Sequence, residues 1–208
     1  MKRRFLLPLI ACGLLVVAQS CSEDEAVYPS LLTEMADLHT DAQGTLERIV
    51  LDDGRTFKVG NPQPNYGKNV VYRVVCSYLP QDSTALLYQL TGAYVLRDSS
   101  EIALTHPTQL RSAWRTPRYI NLHLAPKTQG GRQYWGFITD SVTTCLTDGS
   151  DTLTHAYLTL HHNQGQDPAS YTQEVYASIP LDSIPEAGAS SPVTLRIHTF
   201  DGVKVLEL

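Results

Sequence analysis

From residue 33 to the C-terminus, apolar and polar residues alternate with a period of two. That spacing turns one face of a β-strand toward a core and the other away from it, and it restricts the chain to all-β architectures. Asn69–Leu79 sets Val70, Tyr72, Val74, Cys76 and Tyr78 against Asn69, Val71, Arg73, Val75 and Ser77. Both faces are partly apolar, so the spacing predicts a strand of a closed or strongly curled sheet. Ala85–Asp98 follows the turn Pro80–Ser83 and keeps Leu86, Tyr88, Leu90, Tyr94 and Leu96 in phase. Gly92 falls in that phase and reads as a bulge or bend. Upstream, Leu31–His39, Thr45–Leu51 and Thr56–Val59 read as shorter strands separated by Asp41–Gly44 and by Asp52-Asp53-Gly54, a hairpin signal. Five strands in this rhythm predict an OB-like small barrel. Ser99–Arg111 has room for at most a turn of helix.

The segment His106–Arg118, with Trp114 and Pro117, breaks the alternation and reads as a boundary. Beyond it, Tyr119–Ala125, Tyr134–Cys145, Leu153–His162, Tyr171–Leu181, Pro192–Thr199 and Val203–Leu208 alternate again, with Asp201-Gly202 turning the last pair. Strands at this spacing predict an antiparallel β-sandwich. The expected organisation is a leader over 1–20, an acidic tether over 21–30, an OB-like domain over 31–111 and a β-sandwich domain over 112–208.

The leader is read from its charge and length. Lys2, Arg3 and Arg4 precede fourteen apolar residues, Phe5–Ala18. This suits a signal peptide, whose apolar core runs roughly 7–15 residues, and is short of the ~20 needed to span a bilayer. Ala18-Gln19-Ser20-Cys21 has the form of a lipobox, which makes Cys21 the lipidated first residue of the mature chain. Ordinary cleavage leaving Cys21 a free thiol is the alternative. Cys12 sits inside the apolar run and is not the modified residue. Ser22, Glu23, Asp24 and Glu25 resemble the acidic export signal of surface-displayed lipoproteins; a flexible tether without sorting meaning is the plainer reading. Lipid would anchor the chain in the outer membrane without a transmembrane helix. The whole chain has 16 Lys+Arg against 21 Asp+Glu, and loss of the leader takes the formal charge to −8. Without a basic cluster, nucleic acid is a poor partner. Cys76 and Cys145 either pair in an oxidising compartment or remain separate buried thiols.

No constellation carries chemistry on its own. His161 and His162 are adjacent in a strand and so face opposite ways. His155 shares a face with His161, but six residues put them roughly 20 Å apart. A zinc site needs convergent ligands, so no metal is expected. Asp140, Asp148 and Asp151, with Thr147 and Ser150, lack the spacing of a calcium loop, and Asp148–Asp151 reads as a β-turn. There is no Gly-x-Ser-x-Gly, no phosphate-cradling glycine loop and no local Ser/His/Asp set. The reading is non-enzymatic, with no catalytic residues and no cofactor. One feature stands out. The outward parity of the second half collects Tyr119, Asn121 and His123 on one strand and His155, Tyr157, Thr159 and His161 on another. If those strands were neighbours, Tyr119, His123, His155, Tyr157 and His161 would form an aromatic–imidazole binding stripe. A weaker candidate is the barrel face around Tyr72, Arg73, Tyr88 and Arg97.

The lipobox, the segment LHTDAQGTLERIVLDDGRTFKV, the strand GKNVVYRVVCSYL and later RYINLHLAPK, HAYLTLHHNQGQD and EVYASIPLDSI resemble NigD-like lipoproteins across nearly all of the mature chain. The resemblance implies an N-terminal OB-like domain followed by a C-terminal β-sandwich. It also implies association with bacteriocin-type gene clusters and a suggested immunity role. The expected function is that of a surface-exposed outer-membrane lipoprotein acting as a binding module. Its partners would be the membrane through the N-terminal lipid and a protein of the cell envelope. A glycan-binding accessory lipoprotein is the alternative.

Overall fold

Among the residues described by the computed structural model (30–99, 104–146, 152–186 and 190–208), the alternation becomes fourteen strands. They are β1 (Leu32–Thr40), β2 (Leu46–Leu51), β3 (Thr56–Val59), β4 (Val71–Gln81), β5 (Thr84–Val95), β6 (Gln109–Arg115) and β7 (Tyr119–Ala125). After these come β8 (Lys127–Thr128), β9 (Tyr134–Leu146), β10 (Thr152–Asn163), β11 (Tyr171–Thr172), β12 (Val175–Pro180), β13 (Val193–Thr199) and β14 (Gly202–Glu207). Cys21 and Ser22–Glu25 lie outside the described residues, as do Thr147, Asp148, Ser150 and Asp151.

The first five strands close into a barrel. β1 pairs antiparallel with β2 and β4, β2 with β3, and β4 with β5, while β3 meets β5 in parallel through Lys58↔Thr84 and Val59↔Ala85. The ring β1-β2-β3-β5-β4 is the OB-like order expected from the strand count. Its interior is filled by Leu38, Leu46, Ile49, Leu51, Cys76 and Tyr78. Cys76 is buried and unpaired, its thiol pushed up to about 11 by burial, and Cys145 is exposed on β9. The cysteines are therefore separate thiols rather than a disulfide, and Cys145 departs from the expected buried position.

The remaining strands, apart from the short separate pair β8–β11, join the end of β5 in a sandwich whose sheets are β5-β12-β7-β6 and β14-β13-β10-β9. Ile120, Leu122, Leu124, Phe137, Leu158, Leu160, Ile179, Leu195 and Ile197 fill the space between them. Pairing is antiparallel except for β5 with β12 and β10 with β13. β5 is the shared element: it pairs with β4 up to Val74↔Gly92, then its last residues, Ala93–Val95, pair with β12. The bulge in β5 falls at Tyr88, between the pairs Tyr78↔Leu87 and Ser77↔Gln89; Gly92 instead marks where β5 leaves β4. The segment read as a break also holds a strand. β6 pairs with β7 across a register shift between Leu110 and Ser112, and that irregularity is what disrupts its period of two.

Candidate functional site

The two strands of the expected stripe lie in opposite sheets of the sandwich, β7 in one and β10 in the other. The stripe therefore does not form. Parity alone fixes which side chains share a face, but strand neighbours are set by pairing with distant segments.

On β7, the outward residues meet the barrel. Arg73 of β4 is 1% exposed at its side chain, and all five of its N–H donors are used. Nε donates to Ser178 Oγ at 3.0 Å, Nη1 to Asp37 at 3.1 Å and Asp52 at 2.6 Å, and Nη2 to Asp52 at 2.7 Å and Asn121 Oδ1 at 2.9 Å. Asn121 returns its amide to Asp52 at 2.7 Å, and Ser178 donates to Asn121 at 2.7 Å. The Tyr119 ring lies beneath the guanidinium, with 3.8 Å between Cζ and the ring centroid, and its hydroxyl donates to Asp37. Burial and the Asp37 charge push the Tyr119 phenol above its ordinary pKa. Arg118 reaches Asp37 at 2.6 Å from the solvent side. Two arginines thus face two aspartates in a network that joins β1, β4 and the end of β2 to β7 and β12. His123 stacks on Tyr176 at 4.4 Å and lies 2.7 Å from Glu174. A hydrogen bond from Arg111 holds the Glu174 carboxyl below its usual range. Arg73, expected on an exposed barrel face, is an internal tie instead.

On β10, the outward residues lie on the outer face of the second sheet. His155 and Tyr157 stack at 4.4 Å with planes 9° apart. His155 Nε2 is 2.8 Å from Thr194 Oγ1, which in turn donates to Glu207 at 2.7 Å. Thr159 donates to Asp140 at 2.6 Å, with Arg196 3.9 Å from the same carboxylate. Val203 and Val205 of the edge strand β14 are 52% and 57% exposed. His161 accepts the Leu104 N–H at 3.2 Å. The face therefore offers a pre-stacked aromatic pair, both signs of charge and an apolar margin.

His162 points the other way, as adjacent residues of a strand must. It stacks on Trp135 at 3.8 Å, and its Nδ1 and Nε2 each lie 2.9 Å from an oxygen, the His106 carbonyl and Gln133 Oε1 respectively, of which the neutral ring donates to one. Burial drives its pKa down to about 4. Beside it, Asp167 accepts hydrogen bonds from Thr128, Gln129 N, Gly131 N and Gln133, led by the Thr128 hydroxyl, and its carboxyl drops to about 2. This cluster pins the 127–133 turn to the end of β10. Among the described residues, no group of three or more His, Cys, Asp or Glu side chains converges as metal ligands would.

A cleft of about 730 Å³ opens where β5 parts from β4, an opening that no sequence signal beyond Gly92 marks. Leu38, Tyr66, Tyr72 and Leu90 form its barrel side, and Tyr94, Glu174 and Tyr176 its sandwich side.

Residues 97–208, just over half of the chain, match the family described as the NigD-like C-terminal β-sandwich domain. No curated protein matches closely enough to count as a relative. Among solved structures, the chain is similar to a NigD-like immunity protein from Bacteroides caccae. The TM-score is 0.61 at 21% identity, covering 87% of this chain and 93% of that one. A protein provisionally named as toxin-related, from Parabacteroides distasonis, gives 0.64 at 15% identity over 86% and 92% of the two chains. A Bacteroides fragilis protein provisionally named as a lipoprotein gives 0.56 at 11% identity over 86% and 97%. At these identities the likeness is one of fold.

Proposed function

The chain belongs to the NigD-like family, and from that premise we propose that it is a lipid-anchored envelope protein that acts by binding rather than by catalysis. Cys21 carries the lipid, Ser22–Glu25 direct the chain to the outer face of the outer membrane, and the β-domains are held outward on the tether. The partner is a protein. In the immunity-like version of this role, that partner is a toxin sequestered at the envelope, a reading supported by the names given to the structurally similar proteins.

The observation that carries the proposal is the outer face of the β14-β13-β10-β9 sheet. Protein interfaces combine rigid aromatic anchors, arginine and a polar rim. Here the His155–Tyr157 stack, Arg196 with Asp140, and Val203 and Val205 supply that mixture on one rigid sheet. Two variants test the reading. Cys21→Ala is expected to shift the chain from the membrane fraction to the soluble fraction, and continued membrane retention would refute the anchor. Capture of the tagged protein from intact cells is expected to yield a stoichiometric protein that Tyr157→Ala loses and Lys58→Ala, on the barrel, keeps. Equal recovery with both variants would refute the assignment of the face.

A further inference from the structure

We propose that the seam between β4 and β5 is a binding slot for one extended, uncharged peptide segment of a protein partner, taken up by strand addition. This site is separate from the outer sheet face. The inference starts from two strand edges that, among the described residues, have no strand neighbour. Below the seam the two strands pair from Gln81↔Thr84 to Val74↔Gly92, with the one bulge at Tyr88. Above it, Val71–Arg73 keep only β1, and Ala93–Val95 keep only β12, among the described residues. Each edge is three residues long, about 10 Å at the strand rise. Both line the cleft of about 730 Å³.

Three properties of the cleft define its occupant. Unpaired strand edges present N–H and C=O groups at the repeat of an extended backbone, which a polypeptide matches and a sugar or a lipid chain does not. The barrel side of the slot is apolar: Leu38 and Leu90 border it together with the rings of Tyr66 and Tyr72. The two tyrosine rings meet edge to face at 5.8 Å, and the Tyr72 hydroxyl is fixed by the Gly67 N–H at 2.8 Å, so the pocket is already ordered. An apolar side chain at every second position of the peptide would enter it. Finally, the charges bordering the cleft are already matched. Arg73 is saturated by Asp37 and Asp52, and Glu174 is held by Arg111 at 3.0 Å and lies beside His123. The segment that fits is therefore neutral, and free of proline at the pairing positions. The slot runs into the buried barrel–sandwich interface, with Arg73 lining both, so an inserted strand would extend an interface the molecule already has.

Gly92 allows the site to be blocked. A Cβ built there meets nothing within 4 Å, so Gly92→Leu is expected to fold and to occupy the space a peptide would need. The test uses the mature chain carrying Cys21→Ala and a phage-displayed library of linear seven-residue peptides. Enriched sequences are then synthesised and their affinities measured by fluorescence anisotropy. The expected result is enrichment of neutral peptides with alternating apolar residues. Their affinity should fall about tenfold or more when alternate peptide amides are N-methylated, and likewise with Gly92→Leu. Tyr157→Ala should leave it unchanged, which separates this site from the sheet face. Failure to enrich any peptide would overturn the proposal. So would affinity insensitive to N-methylation, which would make the cleft a general apolar pocket. Concentration-dependent self-association lost in Gly92→Leu would assign the slot to a second copy of the chain and would also overturn it.

Discussion

At the residue scale, Arg73 is the side chain on which most depends. It is nearly inaccessible to solvent and its five donors are distributed over Asp37, Asp52, Asn121 and Ser178. Removing one partner of a buried ion network leaves the other charges uncompensated, at a cost of about 3–5 kcal/mol. Arg73→Ala is accordingly expected to lower unfolding stability by that amount in urea titrations, and a loss below about 1 kcal/mol would contradict the network's role. Its burial could not be read from the sequence, because its partners lie 21 to 105 residues away. His162 makes a second prediction, in pH. Burial depresses its folded pKa from 6.5 to about 4, so the unfolded chain binds the extra proton between those values. Its contribution to stability is thus complete above pH 6.5 and lost as pH falls toward 4, by about 3 kcal/mol from the size of the shift. Thermal unfolding of the wild type should decline across that window, and His162→Gln should flatten the decline. An equal slope in both proteins would contradict the assignment. Asp167 acts in a lower window, from about 3.8 down to about 2, because its carboxyl is the charged form that its donors hold.

At the element scale, the alternation was legible and the company each strand keeps was not. The faces of β7 are as the period of two requires: Ile120, Leu122 and Leu124 enter the sandwich core, while Tyr119, Asn121 and His123 turn the other way. What covers that other face is the chain's own barrel, a non-local fact that local pattern does not encode. β10 escapes this fate because its sheet lies on the far side of the sandwich, and of the expected stripe only His155, Tyr157 and His161 keep the outer position. β6 was hidden by its register shift, and the cleft because Gly92 alone marks where the two paired strands separate. Turns were more legible than pairings. Gly44 closes the β1–β2 connection at φ of 83°, and a Cβ placed there would collide with the Tyr66 carbonyl. Gly44→Ala combines a left-handed backbone with that collision, so a loss of more than about 1 kcal/mol is expected in the same titration; an unchanged midpoint would contradict the geometry. Because the Tyr66 segment also borders the cleft, the variant should disturb the amide signals of Tyr66 and Tyr72 before those of the sandwich.

At the scale of the whole molecule, residues 31–208 form one compact unit rather than two loosely joined halves. β5 belongs to both sheets, and the Arg73 network ties barrel to sandwich: Ser178 and Asn121 complete the hydrogen bonding of Arg73, and Arg118 pairs with Asp37. The described chain is expected to unfold in a single calorimetric transition, with calorimetric and van't Hoff enthalpies in agreement. Two resolved transitions in the wild type would contradict the coupling. Such rigidity suits a protein that presents a fixed surface to a partner, since little conformational entropy is lost on binding. The most direct test of that central claim is site-specific photo-crosslinking in intact cells, with the photoreactive residue placed at position 157 on the outer sheet face and, separately, at position 58 on the barrel. The account predicts one discrete protein adduct from position 157 and none from position 58. No adduct at 157, or the same adduct from both positions, would contradict it.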